Sequence, residues 1–369
     1  MRTLRLSVLH VVPAASSNPL LIGMLDGVDG DFSVAAFGSG PTELGNDCSE
    51  RGIPFRELGE MGSALSMANS IRRVIKSLTP DVVEVHTFRP SVAAAVLAMS
   101  MPVRPGLVAV RHHNLNHYLQ DSVLGRWGDR LVNAKVDGVV AVSFAVRDTC
   151  ITEGLDPDRC HVALNGLDFS RFLVAEPESG CVSRGAEHLL LAVGRLDWQK
   201  DYPTLLRCVA RLVERGSDVE LAVLGTGSAA VASELVDLCT ELGISNRVRW
   251  MGWQPDVERW MHAADVFVHS AADEAHPLVL MEVLAAGLPL VATAAGGSRE
   301  VVQQFYEVSP VGDSLALALK VEQVLDDLAN QRSYAMSVRH QVPERFSPER
   351  MAEAHLAACR AVLLSNVDK

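Results

Sequence analysis

At 369 residues the chain is longer than one hydrophobic core usually organises, so two domains are expected. With 48% apolar and 21% charged residues it is not a disordered chain. The net charge of −12, with most of the acidic excess in residues 171–369, argues against general nucleic-acid binding.

The N-terminal run M-R-T-L-R-L-S-V-L-H-V-V-P is short and ends in a Pro-Ser-Asn loop, as a first buried strand would, not as a signal peptide. No stretch approaches the roughly 18 consecutive apolar residues of a spanning helix. The seven cysteines are scattered, without a C-x-x-C pair, and read as reduced core thiols of a cytoplasmic protein. Residues 1–170 alternate β-branched runs with amphipathic stretches. Strands are expected at Arg5–Val11, Phe32–Phe37, Val82–His86, Leu107–Arg111 and Gly138–Ser143. In Ser63–Leu78, Leu65, Ile71, Val74, Ile75 and Leu78 form a helical apolar face, and Pro80 stops it. Strand–helix–strand repetition of this kind predicts a parallel sheet with helices on both sides. The basic amphipathic stretch Asp121–Lys135 gives a weak case for peripheral contact with the inner face of a membrane; a packing face with solvated charges is the favoured reading.

Residues 174–188 lack periodicity and are rich in Gly, Ser, Pro and charge, which marks a linker. A second α/β series follows. Strands are expected at Leu189–Val193, Val219–Leu224, Val248–Trp250, Asp265–His269 and Leu290–Thr293, with a strand-like Phe305–Val311. Helices are expected at Tyr202–Arg215, Ala229–Leu242, Asp256–Ala263 and Ser314–Asn330, and a final helix over 348–365. The domains are then 1–173 and 189–347, with the C-terminal helix packing back on the first.

Arg195 and Lys200 stand five residues apart just past a strand. A fixed guanidinium fork and a flexible ammonium there suit a diphosphate, although two solvated surface cations would look the same. Glu274 and Glu282 are eight residues apart, flanking Pro277 and an apolar run that Gly287 closes. That pattern reads as a loop carrying Glu274 and a short buried helix carrying Glu282. The helix start would turn the N–H groups of Val279 and Leu280 toward an anion. A buried Glu282 needs a partner, either a local polar group or ribose hydroxyls. No D-x-D pair is placed to hold a metal, and His112, His113 and His117 lack neighbouring Cys ligands.

Glu274–Glu282 resembles the E-x7-E motif of the retaining family 4 glycosyltransferases. G-R-L-D-W-Q-K-D-Y, the Leu224–Gly227 turn, V-R-W-M-G-W, Gly296–Glu300, A-L-N-G-L-D and F-S-P-E-R-M-A resemble further segments of that family. The match covers most of residues 140–365 and is thin before residue 80. The resemblance implies an α/β fold of the GT-B type: two Rossmann-like domains whose parallel sheets face each other across a deep cleft. It implies a UDP- or GDP-linked nucleotide-sugar donor as co-substrate, no other cofactor, and a glycan, polyol or lipid-linked acceptor. Gly194, Arg195 and Lys200 would meet the diphosphate with Val279 and Leu280, Glu282 the ribose, and Trp253 with Gln254 the base. Glu274 would contact the reacting sugar, and His276 could reach it or cap the loop. His112 would stand beside the reacting sugar on the acceptor side, with His113 the competing candidate. Same-face transfer with the departing diphosphate as local base would retain the anomeric configuration without a metal. The chain departs from the family where P-A-A-S-S-N-P replaces its usual Gly-Gly loop, leaving Ser16, Ser17 and Asn18 as polar groups there. A GT-B nucleotide-sugar epimerase and a non-catalytic nucleotide-sugar-binding protein are the alternatives. A dinucleotide oxidoreductase would need the third Gly that G-T-G-S-A-A lacks.

Overall fold

The structure is a computed structural model that describes residues 6–14, 16, 18–38, 42–114, 123–174 and 185–367. The chain divides into two compact units: Met1–Leu167 with Phe346–Lys369, and Asp168–Arg345. Most of the stretch read as a linker, 175–184, lies outside the described residues, as do Ser17 and His117.

The first unit holds strands β1 (Ser7–Val12), β2 (Asp31–Ala36), β3 (Phe55–Glu57), β4 (Val82–His86), β5 (Gly106–Arg111), β6 (Gly138–Ala141) and β7 (Cys160–Val162). They form one sheet in the order β3-β2-β1-β4-β5-β6-β7, every pair parallel. β1 and β4 are rich in β-branched residues and almost wholly buried, as strands covered on both faces are, but each carries ionisable residues inside the run: His10 in β1, Glu84 and His86 in β4. Helix Ala64–Leu78 begins at Ser63, whose hydroxyl accepts from the Ser66 N–H, and ends at Thr79 in the left-handed region. It buries Met67, Ile71, Val74 and Ile75. Leu65, expected on that face, is 61% exposed because it falls in the first turn, on the outer side. The C-terminal helix Pro348–Val367 belongs to this unit and packs on helix Pro19–Asp26, β5 and β6. Gly106 and Gly138 open β5 and β6 beneath it; a Cβ at either would lie 2.9 or 2.7 Å from a Val362 methyl. In helix Val123–Lys135, Asp129, Val132 and Asn133 are buried while Trp127 is exposed under the Arg130 guanidinium.

The second unit holds β8 (His188–Val193), β9 (Val219–Leu224), β10 (Val248–Gly252), β11 (Val266–His269) and β12 (Leu290–Ala292), all parallel, in the order β10-β9-β8-β11-β12. Leu190, Leu221 and Val223 of the sheet pack with Leu205, Leu206 and Val209 of helix Tyr202–Glu214 and Leu317 and Val321 of helix Ser314–Asp326. Two expectations are corrected here. Phe305–Val311 is not a strand: only Ser309 bridges to Thr293, and Pro310 beside it has no N–H to extend a ladder. The helix expected to run to Asn330 stops at Asp326; a separate helix, Leu328–Arg339, follows after Asp327 leaves the helical region. Among the described residues no helix is long and apolar enough to cross a membrane, and the six described cysteines are buried and unpaired.

Candidate active site

In both sheets the strand order reverses direction beside the first strand, between β1 and β4 and between β8 and β11. Open parallel sheets bind ligands beyond the carboxyl ends of strands at such a point, because the connections there leave on opposite faces.

In the second unit, the loops leaving β8 and β11 supply Lys200 and Glu274. A turn at Trp198–Lys200 starts where the Asp197 carboxylate accepts from the Lys200 N–H. The Ala272 N–H donates to the Gln199 carbonyl at 2.7 Å, and the Ser270 hydroxyl to the Lys200 carbonyl at 2.8 Å. Gly297 donates its N–H to the Glu274 carbonyl at 2.8 Å; a Cβ on Gly297 would lie 1.7 Å from the Ala275 oxygen. Between these stitched loops the Lys200 ammonium bonds Glu274 Oε1, and His269 Nε2 lies 3.3 Å from the same oxygen. Burial alone would raise the Glu274 pKa, but His269 and Lys200 together hold it down at about 2. Burial depresses His269 more than Glu274 raises it, so this imidazole stays neutral. Tyr202 closes the group from below, its hydroxyl donating to the Gly194 carbonyl at 2.9 Å.

Gly194 lets the backbone cross closely, since its Cβ position is 2.8 Å from Lys200 Cε; at Gly225, a Cβ would lie 1.9 Å from the Gly194 oxygen. Arg195 is exposed and held by Gln199 Oε1 (3.2 Å) and the Asp197 carboxylate (3.0 Å). Helix Leu278–Ala286 starts after Pro277 with no side-chain cap, so the N–H groups of Val279 and Leu280 lie in its open first turn. Its end is Gly287 at φ +71°, the left-handed closure that glycine adopts without strain. His276 is buried, and that burial, with Arg345 adding to it, lowers its pKa to about 3. Trp253 is 72% exposed beyond β10, and the Gln254 amide donates to the Met251 carbonyl. Burial raises Glu282 to about 7; Arg171 pulls it down and Glu258 pushes it up. Arg171, in helix Ser170–Val174, pairs with Glu258 and donates to the Pro255 carbonyl.

His112 belongs to the first unit. Its Nε2 lies 3.1 Å from His86 Nδ1, and His86 Nε2 lies 3.3 Å from His10 Nδ1. His10 Nδ1 is also 3.3 Å from Glu84 Oε2. Glu84, with no exposed surface, is met by His355 Nδ1 at 3.0 Å and Cys359 Sγ at 3.3 Å from the C-terminal helix. A pocket of about 290 Å³ opens beside this chain, lined by Asn18, His86, His112, Asn165 and His355 among others. Asn18, expected to offer polar groups to a ligand, serves as a helix cap, its Oδ1 accepting from the Leu21 N–H. The His113 carbonyl accepts from Arg111 Nε. His269, Tyr202, Arg171 and the His10–Glu84–His86 chain were not expected from the sequence. For the strand residues among them the available signal was one or two ionisable residues inside an otherwise apolar strand; Tyr202 and Arg171 lie in helices and gave no such signal.

The glycosyl transferases group 1 family model matches residues 182–340. The glycosyltransferase family 4 model matches residues 29–171, so between them the two models take in most of both units. The chain belongs to the family 4-type glycosyltransferases. It is 32% identical over 170 residues to the lipopolysaccharide core biosynthesis glycosyltransferase LpsE of Rhizobium meliloti, covering 46% of this chain and 48% of that protein. It is 28% identical to the alpha-maltose-1-phosphate synthase of Mycolicibacterium smegmatis, covering 84% and 86%. The chain matches only about half the length of the first of its curated relatives. Anabaena Alr3699/HepE in complex with UDP-glucose has the same fold, with a TM-score of 0.77 at 19% identity over 98% of this chain and all of that one.

Proposed function

We propose that this glycosyltransferase moves a hexosyl-type sugar from a nucleotide-sugar donor held in the second unit to a glycan, polyol or lipid-linked acceptor. The reading rests on one observation above the others: a partly buried Lys200–Glu274–His269 group at the β8/β11 reversal, one loop ahead of an uncapped helix start. An ammonium nitrogen has three donors. With one on Glu274, Lys200 keeps two for phosphate oxygens, joined by Arg195 and the N–H groups of Val279 and Leu280. Such groups stabilise the negative charge that grows on a departing diphosphate. Glu274, ionised down to about pH 2, is an acceptor for sugar hydroxyls and not a proton donor. With no acid supplied there, the leaving diphosphate takes the acceptor proton on the same face, which retains the configuration and asks nothing of a metal. Glu282 takes the ribose and exposed Trp253 offers its ring to the base. His112 serves the acceptor side. UDP is the favoured nucleotide, because structural relatives are complexes with UDP and UDP-glucose.

A thermal-shift panel of nucleoside diphosphates and nucleotide sugars tests this. A ligand that binds only the folded state raises Tm by mass action. A shift for uridine compounds, abolished in K200A, is expected. No shift with any nucleotide, or unchanged turnover in both K200A and E274A, would sink the assignment.

A further inference from the structure

Glu84 sits in the middle of β4 with no function in the donor chemistry, yet three polar side chains, His10, His355 and Cys359, close on it. Burial disfavours its charge, but His355 and His10 outweigh this and hold it ionised. An ionised carboxylate only accepts hydrogen bonds. The proton on His10 therefore sits on Nδ1, 3.3 Å from Glu84 Oε2; with it on Nε2, a ring lone pair would face the carboxylate lone pairs. The same Nδ1–H lies 3.3 Å from His86 Nε2, which must then accept. Burial keeps His86 neutral, so its one proton is on Nδ1 and points at His112 Nε2, 3.1 Å away. His112 is also neutral, its pKa lowered to about 3 by burial first and the neighbouring His113 second. Each ring thus passes its polarity to the next, whether His10 is neutral or an imidazolium.

We propose that Glu84, through His10 and His86, is a positioning residue that locks His112 in the tautomer accepting at Nε2 and offering its Nδ1–H to substrate. The proposal rests on the reading of His112 as an active-site residue. The C-terminal helix takes part, because His355 and Cys359 supply two of the three donors that fix the carboxylate. A glutamine at position 84 has one acceptor oxygen for those three donors, so a ring must turn or change tautomer.

The test is ring ¹⁵N NMR of histidine-labelled full-length protein, with His112→Ala identifying the His112 signals. The expected wild-type spectrum shows His112 protonated at Nδ1 and bare at Nε2. Glu84→Gln should move those signals toward a mixture of tautomers and lower kcat about tenfold or more, as losing the carboxylate that fixes a catalytic imidazole's tautomer does, with donor KM unchanged. A wild-type His112 protonated at Nε2 overturns the proposal, even if Glu84→Gln is insoluble. So do His112 signals that Glu84→Gln leaves in place. One equivalent of tightly bound zinc would do the same, because a metal on His10, Glu84 and His86 replaces the relayed protons. Full turnover by His112→Ala would instead remove the active-site reading and leave the tautomer to be decided by the spectrum.

Discussion

Replacing Lys200 by methionine keeps the stem that packs against Gly194 and removes the ammonium that Glu274 bonds. Glu274 then keeps His269 beside it at 3.3 Å, and the burial that already works against its charge is opposed by less. Losing one side of a buried ion pair costs about 3–5 kcal/mol, because the remaining charge stays desolvated. The carboxyl's whole fall from 4.5 to about 2, which His269 and Lys200 share, corresponds to roughly 3 kcal/mol by linkage and so caps the part of the pKa shift that Lys200 supplies. At about 2–4 °C per kcal/mol for a unit of this size, a loss of about 3–5 kcal/mol is a drop in Tm of about 6–20 °C. The pH dependence is specific. In the wild type the folded-state carboxyl is depressed, so its stabilisation is present above pH 4.5 and is lost as pH falls toward 2. In K200M the carboxyl protonates at higher pH and becomes neutral inside the unit. The stability difference between the two proteins should therefore be widest at pH 7 and shrink on acidification. Urea unfolding followed by tryptophan fluorescence from pH 7 to pH 3 measures it, and K200M/E274Q should recover part of the loss. A difference under about 1 kcal/mol at pH 7, the worth of an exposed pair, or one that does not narrow with acid, would refute the reasoning.

Glu282 is raised to about 7 by burial, so an ionised acceptor for the ribose becomes available as pH rises through that value. Calorimetric affinity for a nucleotide sugar, whose esterified diphosphate does not titrate there, should rise from pH 6 to pH 8, and E282Q should flatten the profile. W253A should weaken donor binding by about 5- to 150-fold, the range of one base–aromatic stack worth about 1–3 kcal/mol, with little change in Tm. G297A forces a Cβ within 1.7 Å of the Ala275 oxygen and must displace the loop that carries Glu274. A loss of about 2 kcal/mol or more and of the nucleotide-induced thermal shift is expected, and an unaltered protein would show the loop to be free of that contact.

The sheets were legible because strands buried on both faces leave near-continuous apolar runs, and β4, β8, β9 and β11 are of that kind. Lys200 and Glu274 were legible as residues past strand ends, but their bond was not: they are 74 residues apart, and only the strand order puts β8 beside β11. The break at Asp327 was missed because apolar spacing continues across it. Phe305–Val311 was misjudged on composition, although Pro310 already argued against a ladder.

The buried histidines and Glu84 carry a signal of their own in the sequence. V-L-H-V-V, V-V-E-V-H and V-F-V-H each carry one or two ionisable groups inside a run that otherwise suits a fully buried strand. Burying such a group without partners costs several kcal/mol, so a chain that retains it must supply partners from elsewhere. For Glu84 these are His355 and Cys359, 271 and 275 residues away on the last helix, and no local pattern could have named them. The demand for partners could be read from β4 alone. In β1 and β4 it leads to His112, and in β11 it leads from His269 to Glu274. In β1, β4 and β11, then, the polar residue that a buried strand tolerates stands next to a candidate active-site group or to a residue that touches one, whereas buried Glu220 of β9 accepts from the Gly185 N–H instead.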